Sequence, residues 1–445
     1  MSRWERALTA ILGDVYAQRL LGGALGALSL EMSLAVISFA SGLFLARVLG
    51  VEELGRFEYT MAWVSLLAIL ASMGLDRFLV KQVSSYQTLG EWSFLRGVTV
   101  RGTQIALIVS VFVAVLGGQL GWLILDAQLR RIFLVGAISI PFLSVLKLLQ
   151  GATRGLCYPV RAKIPEQLLK PTVSLLLIIL WSNIKESSLV AVDAMTVQLI
   201  ASIAAVLAAL LLLYRCWPKQ ARGIQSCYRT SEWGRSILPL FLISGMGIVN
   251  MRIDVLMLGG MDSTSSVGIY RAASRGAALV PVVLTAINAM LAPLVASFYA
   301  KKDKEALQSI VTRGARLALL GTLPLTFGLI VWGDGLLGLL GSDFSIASGE
   351  LTVLTLGRSA AVLSGPVSAI LVMTSHERIL ARILFGSFVG NAIANAIFIP
   401  HFGPMGAALA TSGTIALRNV ISMCFIVRRL GLDPSVLGMR VGSGK

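Results

Sequence analysis

Charge is scarce in this sequence. Of 445 residues, 13% are Asp, Glu, Lys or Arg, against a hydrophobic fraction of 56% and a mean hydropathy of +0.82. A soluble domain carries about 25% charged residues, so this composition excludes an ordinary soluble globule and points to repeated membrane crossing. Histidine is nearly missing, with His376 and His401 alone. The four cysteines, Cys157, Cys216, Cys227 and Cys424, have no zinc-ligand spacing. Neither a metal centre nor a disulfide framework is expected. No extended soluble stretch leaves room for an ATPase or catalytic domain, and no Gly-x-x-x-x-Gly-Lys-Ser/Thr phosphate loop occurs. A cleavage signature is also lacking in "MSRWERALTAILGDVYAQRL". There Trp4, Leu8, Ile11, Leu12 and Val15 share a helical face, as in an amphipathic helix on the inner leaflet.

Long apolar runs are what the chain does have. A span needs about 20 apolar residues, and twelve fit: roughly 23–46, 57–79, 102–124, 131–150, 166–183, 189–213, 236–259, 266–297, 316–340, 350–373, 379–399 and 404–427. Alternate sides of these spans differ in basic residues. One side, with both termini, holds 28 lysines and arginines; the other holds five, Arg47, Arg56, Arg130, Arg131 and Lys185. The positive-inside rule then puts both termini in the cytoplasm. The net charge of +16 is spread through short loops, so membrane lipid and not nucleic acid is the expected partner.

Six spans precede the basic stretch "YRCWPKQARGIQSCYRTSEWGR" and six follow it. After the first span Gly55-x-Phe57 opens the next, and after the seventh Gly268-x-Tyr270 does the same. The expected architecture is an all-α integral membrane protein of about 12 transmembrane helices in two six-helix repeats around a central cavity. Its segments are 1–22 (amphipathic), 23–214 (first bundle), 215–235 (basic linker), 236–427 (second bundle) and 428–445 (cytoplasmic tail).

Three stretches carry a family resemblance. "FASGLFLARVLGVEELGRFEYTMAWVSLLAILASMGLDRFLVKQVS", "DVLMLGGMDSTSSVGIYRAASRGAAL" and "NAIANAIFIPHFGPMGAALATS" resemble, in order and spacing, the polysaccharide (O-antigen) flippases of the multidrug/oligosaccharidyl-lipid/polysaccharide superfamily. The resemblance covers roughly residues 20–430. It implies transfer of a polyprenyl-diphosphate-linked oligosaccharide from the inner to the outer leaflet of a bacterial or archaeal cytoplasmic membrane by alternating access. It also implies no organic cofactor, with sodium or proton coupling left open, and a polysaccharide polymerase and other assembly proteins as partners. Lipid II flippases carry two further spans, so the twelve-span branch is the expectation. The alternatives are a lipid II-type transporter or a drug/cation antiporter, and, less favoured, a membrane polymerase or ligase. Cationic drugs call for cavity carboxylates, and polymerases for a large outer loop. Embedded arginines outnumber embedded acids here, and the outer loops are short.

Five arginines fall within spans, all in the second half: Arg252, Arg271, Arg275, Arg358 and Arg418. A charge at the bilayer centre costs about 2.5–3.5 kcal/mol on insertion scales, so such residues face protein or water. Guanidinium stays charged and binds phosphate through two parallel hydrogen bonds. Arg275, Arg358, Arg271 and Arg252, together with Glu31, are therefore the expected substrate-binding set, and Arg418 a structural residue. Pairing with neighbouring carboxylates is the competing explanation. Arg252 and Asp254, two residues apart, point about 200° apart on a helix, so one is expected in the cavity and the other against a neighbouring span. Asp254 and Asn250 share a face that could hold a sodium ion or proton; a charge pair from Asp254 to Arg271 or Arg275 is the alternative. Glu31 is expected to partner an arginine of the other half. The stripe Ser387, Asn391, Asn395 suits hydrogen bonding between helices, and Pro281, Pro293, Pro324 and Pro366 are expected bending points.

Overall fold

The computed structural model describes residues 14–184, 188–229, 233 and 252–438; before residue 36 it describes only the side chain of Ser33. These residues form helices, and no strand occurs among them. The protein is an all-α membrane protein. Eight helices among the described residues are long and apolar enough to span a membrane, or nine when the bent pair Val36–Ser72 and Leu75–Leu89 is counted as one.

Helix α1 (Asp14–Ser72) contains two spans, folded back on each other at Gly50, whose φ of 73° lies in the left-handed region that glycine adopts without steric penalty. The expected loop around residues 47–56 is therefore helical on both sides of a one-residue break. Of the expected amphipathic segment 1–22, residues 1–13 lie outside the described residues, and 14–22 are helical and continuous with the first span. α2 (Leu75–Leu89) continues the second span after a 41° bend. Then come α3 (Trp92–Ile124), α4 (Ala127–Gly155), α5 (Pro159–Ile184) and α6 (Ala191–Cys216). The second half is described from α7 (252–261). It continues with α8 (Thr264–Ala277), α9 (Val282–Ala300), α10 (Lys304–Val331), α11 (Gly333–Gly338), α12 (Ser348–Leu363), α13 (Val367–Met373) and α14 (Glu377–Leu430). Within α14 the last two spans turn at Gly403, with φ 53°.

Of the four expected bending points, Pro281 and Pro366 mark real breaks, between α8 and α9 and between α12 and α13. Pro293 and Pro324 sit inside continuous helices. A membrane helix tolerates a proline when its neighbours re-satisfy the freed carbonyl.

The linker and the tail both dock. Cys227 N–H donates to Ser93 O at 3.1 Å, Arg96 donates to Ile224 O at 2.6 Å, and buried Trp233 donates to Tyr86 at 3.0 Å. The linker thus lies on the ends of α2 and α3. After α14, Gln308 and Asp433 exchange hydrogen bonds of 2.7 and 2.8 Å, and Arg316 holds Val436 O at 3.1 Å. The tail is strapped to α10.

The halves meet where α8 packs along α1, at the end of the bundle that carries Gly50 and Asp262. A Cβ on Gly55 would lie 1.8 Å from Thr264 O, and one on Gly268 would lie 2.1 Å from Val51 O. Only glycine permits these crossings. The contact is reciprocal, since each glycine meets the carbonyl four residues before the other.

Candidate functional site

A cavity of about 590 Å³ lies between the halves. α1 lends Ser38, Ser41, Gly42 and Glu58, α4 Lys147, α5 Glu166 and Lys170, α6 Gln198, α7 Arg252, and α8 Arg271 and Arg275. Five cationic side chains face two carboxylates.

Glu58 is 3% exposed and takes both α8 arginines. Arg271 Nε donates to its Oε2 at 2.9 Å, and Arg275 Nη2 donates to its Oε1. Arg271 and Arg275, four apart, share one helical face, which is how a single carboxylate reaches both. Arg275 also donates through Nη1 to Gly42 O. A side chain at Gly42 would put its Cβ 2.6 Å from that nitrogen, so the glycine makes room for the guanidinium. Arg252 lies within electrostatic range of Glu58, Arg271 and Arg275. It forms no ion pair among the described residues.

Lys147 and Lys170, on the first half, fall just inside the expected spans 131–150 and 166–183 and count there with the basic residues of the cytoplasmic side. Instead they line the cavity, and Lys170 is 8% exposed. The basic bias between the two sides survives their removal. Local backbone explains the error at Lys170. The stretch Ile164–Leu169 is a π-helical turn started by Pro165, closed by Lys170 N–H donating to Pro165 O. Such a turn re-aims side chains and is common at functional sites. It brings Glu166 and Lys170 inward, where both interact electrostatically with Lys147.

The other expected residues separate. Arg358 is not in the cavity lining; it turns into the second half and donates to Ser274 O and Oγ, each at 3.2 Å. Asp254, 7% exposed, also leaves the cavity and pairs with neither Arg271 nor Arg275. Asn391 and Asn395 Nδ2 donate to its Oδ1 at 2.7 Å each, and Thr411 and Tyr270 to its Oδ2 at 2.9 and 3.0 Å. The carbonyl oxygens of both asparagines are buried and have no partner in the described structure. Thus Asn391 and Asn395 do bond between helices, as their spacing implies. Asn250 lies outside the described residues, and so does the side chain of Glu31; among the described residues the carboxylate that pairs with the other half's arginines is Glu58. Its signal was in the sequence: Glu58 follows Gly55-x-Phe57 as Arg271 follows Gly268-x-Tyr270.

The family model described as "Polysaccharide biosynthesis protein" matches residues 22–298, more than half of the chain, and MatE matches 237–397. The chain is 29% identical over 170 residues to "Probable low-salt glycan biosynthesis flippase Agl15" of Haloferax volcanii, covering 38% of this chain and 36% of that protein. It is 30% identical over 187 residues to "Probable flippase AglR" of the same organism, covering 41% and 39%. The matches thus span less than half the length of these curated relatives. Among solved structures, an inward-facing multidrug resistance MATE family transporter of the MOP superfamily superposes with TM-score 0.73 at 15% identity, over 92% of this chain and 98% of that one. Lipid II flippase MurJ in an inward closed conformation gives 0.64 at 18%, over 90% and 87%. These likenesses fix the twelve-helix, two-repeat fold, and the relatives are named flippases and transporters rather than enzymes. The chain belongs to the polysaccharide biosynthesis protein family, built on the fold of the MOP superfamily.

Proposed function

We propose that the protein flips a polyprenyl-diphosphate-linked oligosaccharide from the cytoplasmic to the outer leaflet, holding the diphosphate in the central cavity. The carrying observation is the excess of cations: five against two carboxylates, with Glu58 shared by two arginines. A diphosphate diester brings two negative charges and an array of acceptor oxygens, and planar guanidinium groups bind such oxygens in pairs. The same excess disfavours a cationic drug.

The diphosphate competes with Glu58 for Arg271 and Arg275. Because Glu58 belongs to the first half and the arginines to the second, phosphate binding loosens the tie that closes the bundle at the Gly55–Gly268 crossing. Alternating access follows from that exchange. Assembly proteins such as a polysaccharide polymerase would receive the product.

Asp254 is the coupling group in this reading. Its two oxygens take four donors, while two amide oxygens beside it have no partner. Rotating both amides offers those oxygens to a sodium ion on the carboxylate; protonation of Asp254 is the other way to neutralise it. No cofactor beyond such an ion is invoked.

The test is reconstitution. In proteoliposomes carrying the lipid-linked oligosaccharide, the wild type delivers the sugar to the far leaflet, and Arg275→Ala at equal abundance does not. Wild-type delivery by Arg271→Ala/Arg275→Ala removes the diphosphate site from consideration. Orientation has its own check in a chain with all four cysteines replaced by serine. A cysteine at Met261 reacts with an impermeant thiol reagent from outside, and one at Gln225 does not; the reverse pattern inverts the direction.

A further inference from the structure

Behind α4, on the side away from the central cavity, α3 and α4 part to leave an apolar groove of about 850 Å³. Leu107 and Trp122 mark its ends on α3, and Ile138 and Phe142 line it on α4. Fifteen residues of helix separate the two ends, about 22 Å at 1.5 Å per residue. α4 divides the groove from the cavity: Leu143 and Lys147 face the cavity, Pro141 and Phe142 the groove. Gly118 keeps it open, because a Cβ there would meet only Leu134 Cδ2, at 3.8 Å. An empty cleft of this size would forfeit dispersion contacts along its whole length.

The Trp122 end is where the groove acquires charge. Arg130, from the first turn of α4, stacks its guanidinium 4.5 Å over the Trp122 ring and donates through Nη2 to Leu125 O at 3.3 Å. Its Nε is buried without a partner in the described structure. Arg131 beside it is exposed, and Asp126 is the one acid in this corner. Two of the five basic residues at this end of the spans thus sit at one groove mouth. A tryptophan with an arginine at the end of a span suits the headgroup level of a bilayer.

We propose that the groove binds an anionic glycerophospholipid, with one acyl chain lying between Leu107 and Trp122 and the phosphate accepting hydrogen bonds from Arg130. The substrate's own polyprenyl chain is disfavoured as occupant, because its diphosphate belongs on the other side of α4. That exclusion rests on the proposed function; the anionic-lipid site itself does not.

Delipidated protein in detergent is titrated with phosphatidylglycerol or with phosphatidylcholine of the same acyl chains. Bound lipid is counted by native mass spectrometry, and the melting temperature is followed alongside. The wild type is expected to bind phosphatidylglycerol about tenfold more tightly and to melt higher with it. The choline cation of phosphatidylcholine is repelled by Arg130 and Arg131, which offsets the attraction of the phosphate that both lipids share. Arg130→Gln/Arg131→Gln abolishes the preference but keeps the acyl-chain binding. Gly118→Leu fills the groove and loses both lipids. Equal binding of the two lipids by the wild type would overturn the proposal, as would a preference that survives in the arginine variant. Displacement of phosphatidylglycerol by polyprenyl phosphate would also overturn it and give the groove to the substrate's tail. Should Gly118→Leu fold poorly, the arginine variant decides alone.

Discussion

Arg252 and Asp254 are two residues apart on one helix yet belong to different environments. Arg252 faces a cavity shared by both halves, where cations exceed acids and a guanidinium is left without a carboxylate of its own. Asp254 faces the interior of the second half, where four neutral donors satisfy one carboxylate. The difference teaches that an embedded charge is read by the face it occupies and by what answers it. A carboxylate answered only by neutral donors keeps its charge within the second half; cations in excess over acids are suited to take up an anion.

The largest effect expected from breaking this contrast is at the pair that joins the halves. Arg271→Ala/Arg275→Ala leaves Glu58 buried without either of its ion-pair partners, a loss of about 3–5 kcal/mol of stability, seen as a lower melting temperature and lower membrane abundance. Adding Glu58→Gln restores the melting temperature but not transport. If it restores transport as well, the arginines are there only for Glu58. Next comes Asp254→Asn, which removes gradient-driven transport while lipid-linked substrate binds within about twofold of wild type. Thr411 and Tyr270 then face an uncharged amide, a cost of about 1–3 kcal/mol. Undiminished uptake under a sodium or proton gradient would return Asp254 to a purely structural part.

Lys170→Gln and Lys147→Gln are expected to weaken diphosphate-lipid binding by about tenfold each, the worth of about 1.4 kcal/mol, with little change in melting temperature. Wild-type affinity in both would confine the site to the arginines. The smallest functional effect belongs to Arg358→Lys. It loses the two-pronged grip on Ser274 and about 1 kcal/mol of stability, while substrate affinity stays unchanged. A tenfold loss of affinity there would bring Arg358 back to the cavity.

The spans were legible because 20 apolar residues in a row have few other uses, and the two-half plan because basic loops alternate with apolar segments. What hydropathy hid was the ends of spans. Glu58, Glu166, Lys147 and Lys170 sit just inside apparent boundaries, within about one turn, where a charged residue is read with the adjoining loop. Helices extend past those boundaries, as α1 does through Gly50 and α4 does to Gly155, and carry the charges inside. Arg358 shows the opposite limit. Its depth along the helix was readable, but its direction depends on how α12 is rotated against α8, which no spacing within α12 records.

The crossing of Gly55 and Gly268 places residues 51 and 264, 55 and 268, and 58 and 271 at matching positions of the two repeats, each pair 213 apart. Had two separate copies of one six-helix unit met in this way, an exact two-fold axis would set identical residues opposite one another. Position 58 would then oppose a second glutamate, or 271 a second arginine, and like charges would push the copies apart. A glutamate facing an arginine across the axis is closed to two identical copies, whereas copies carried on one chain are each free to change without the other. One chain thus lets the axis have a polarity: the first half holds the carboxylate, and the second half holds the two guanidinium groups that pair with it.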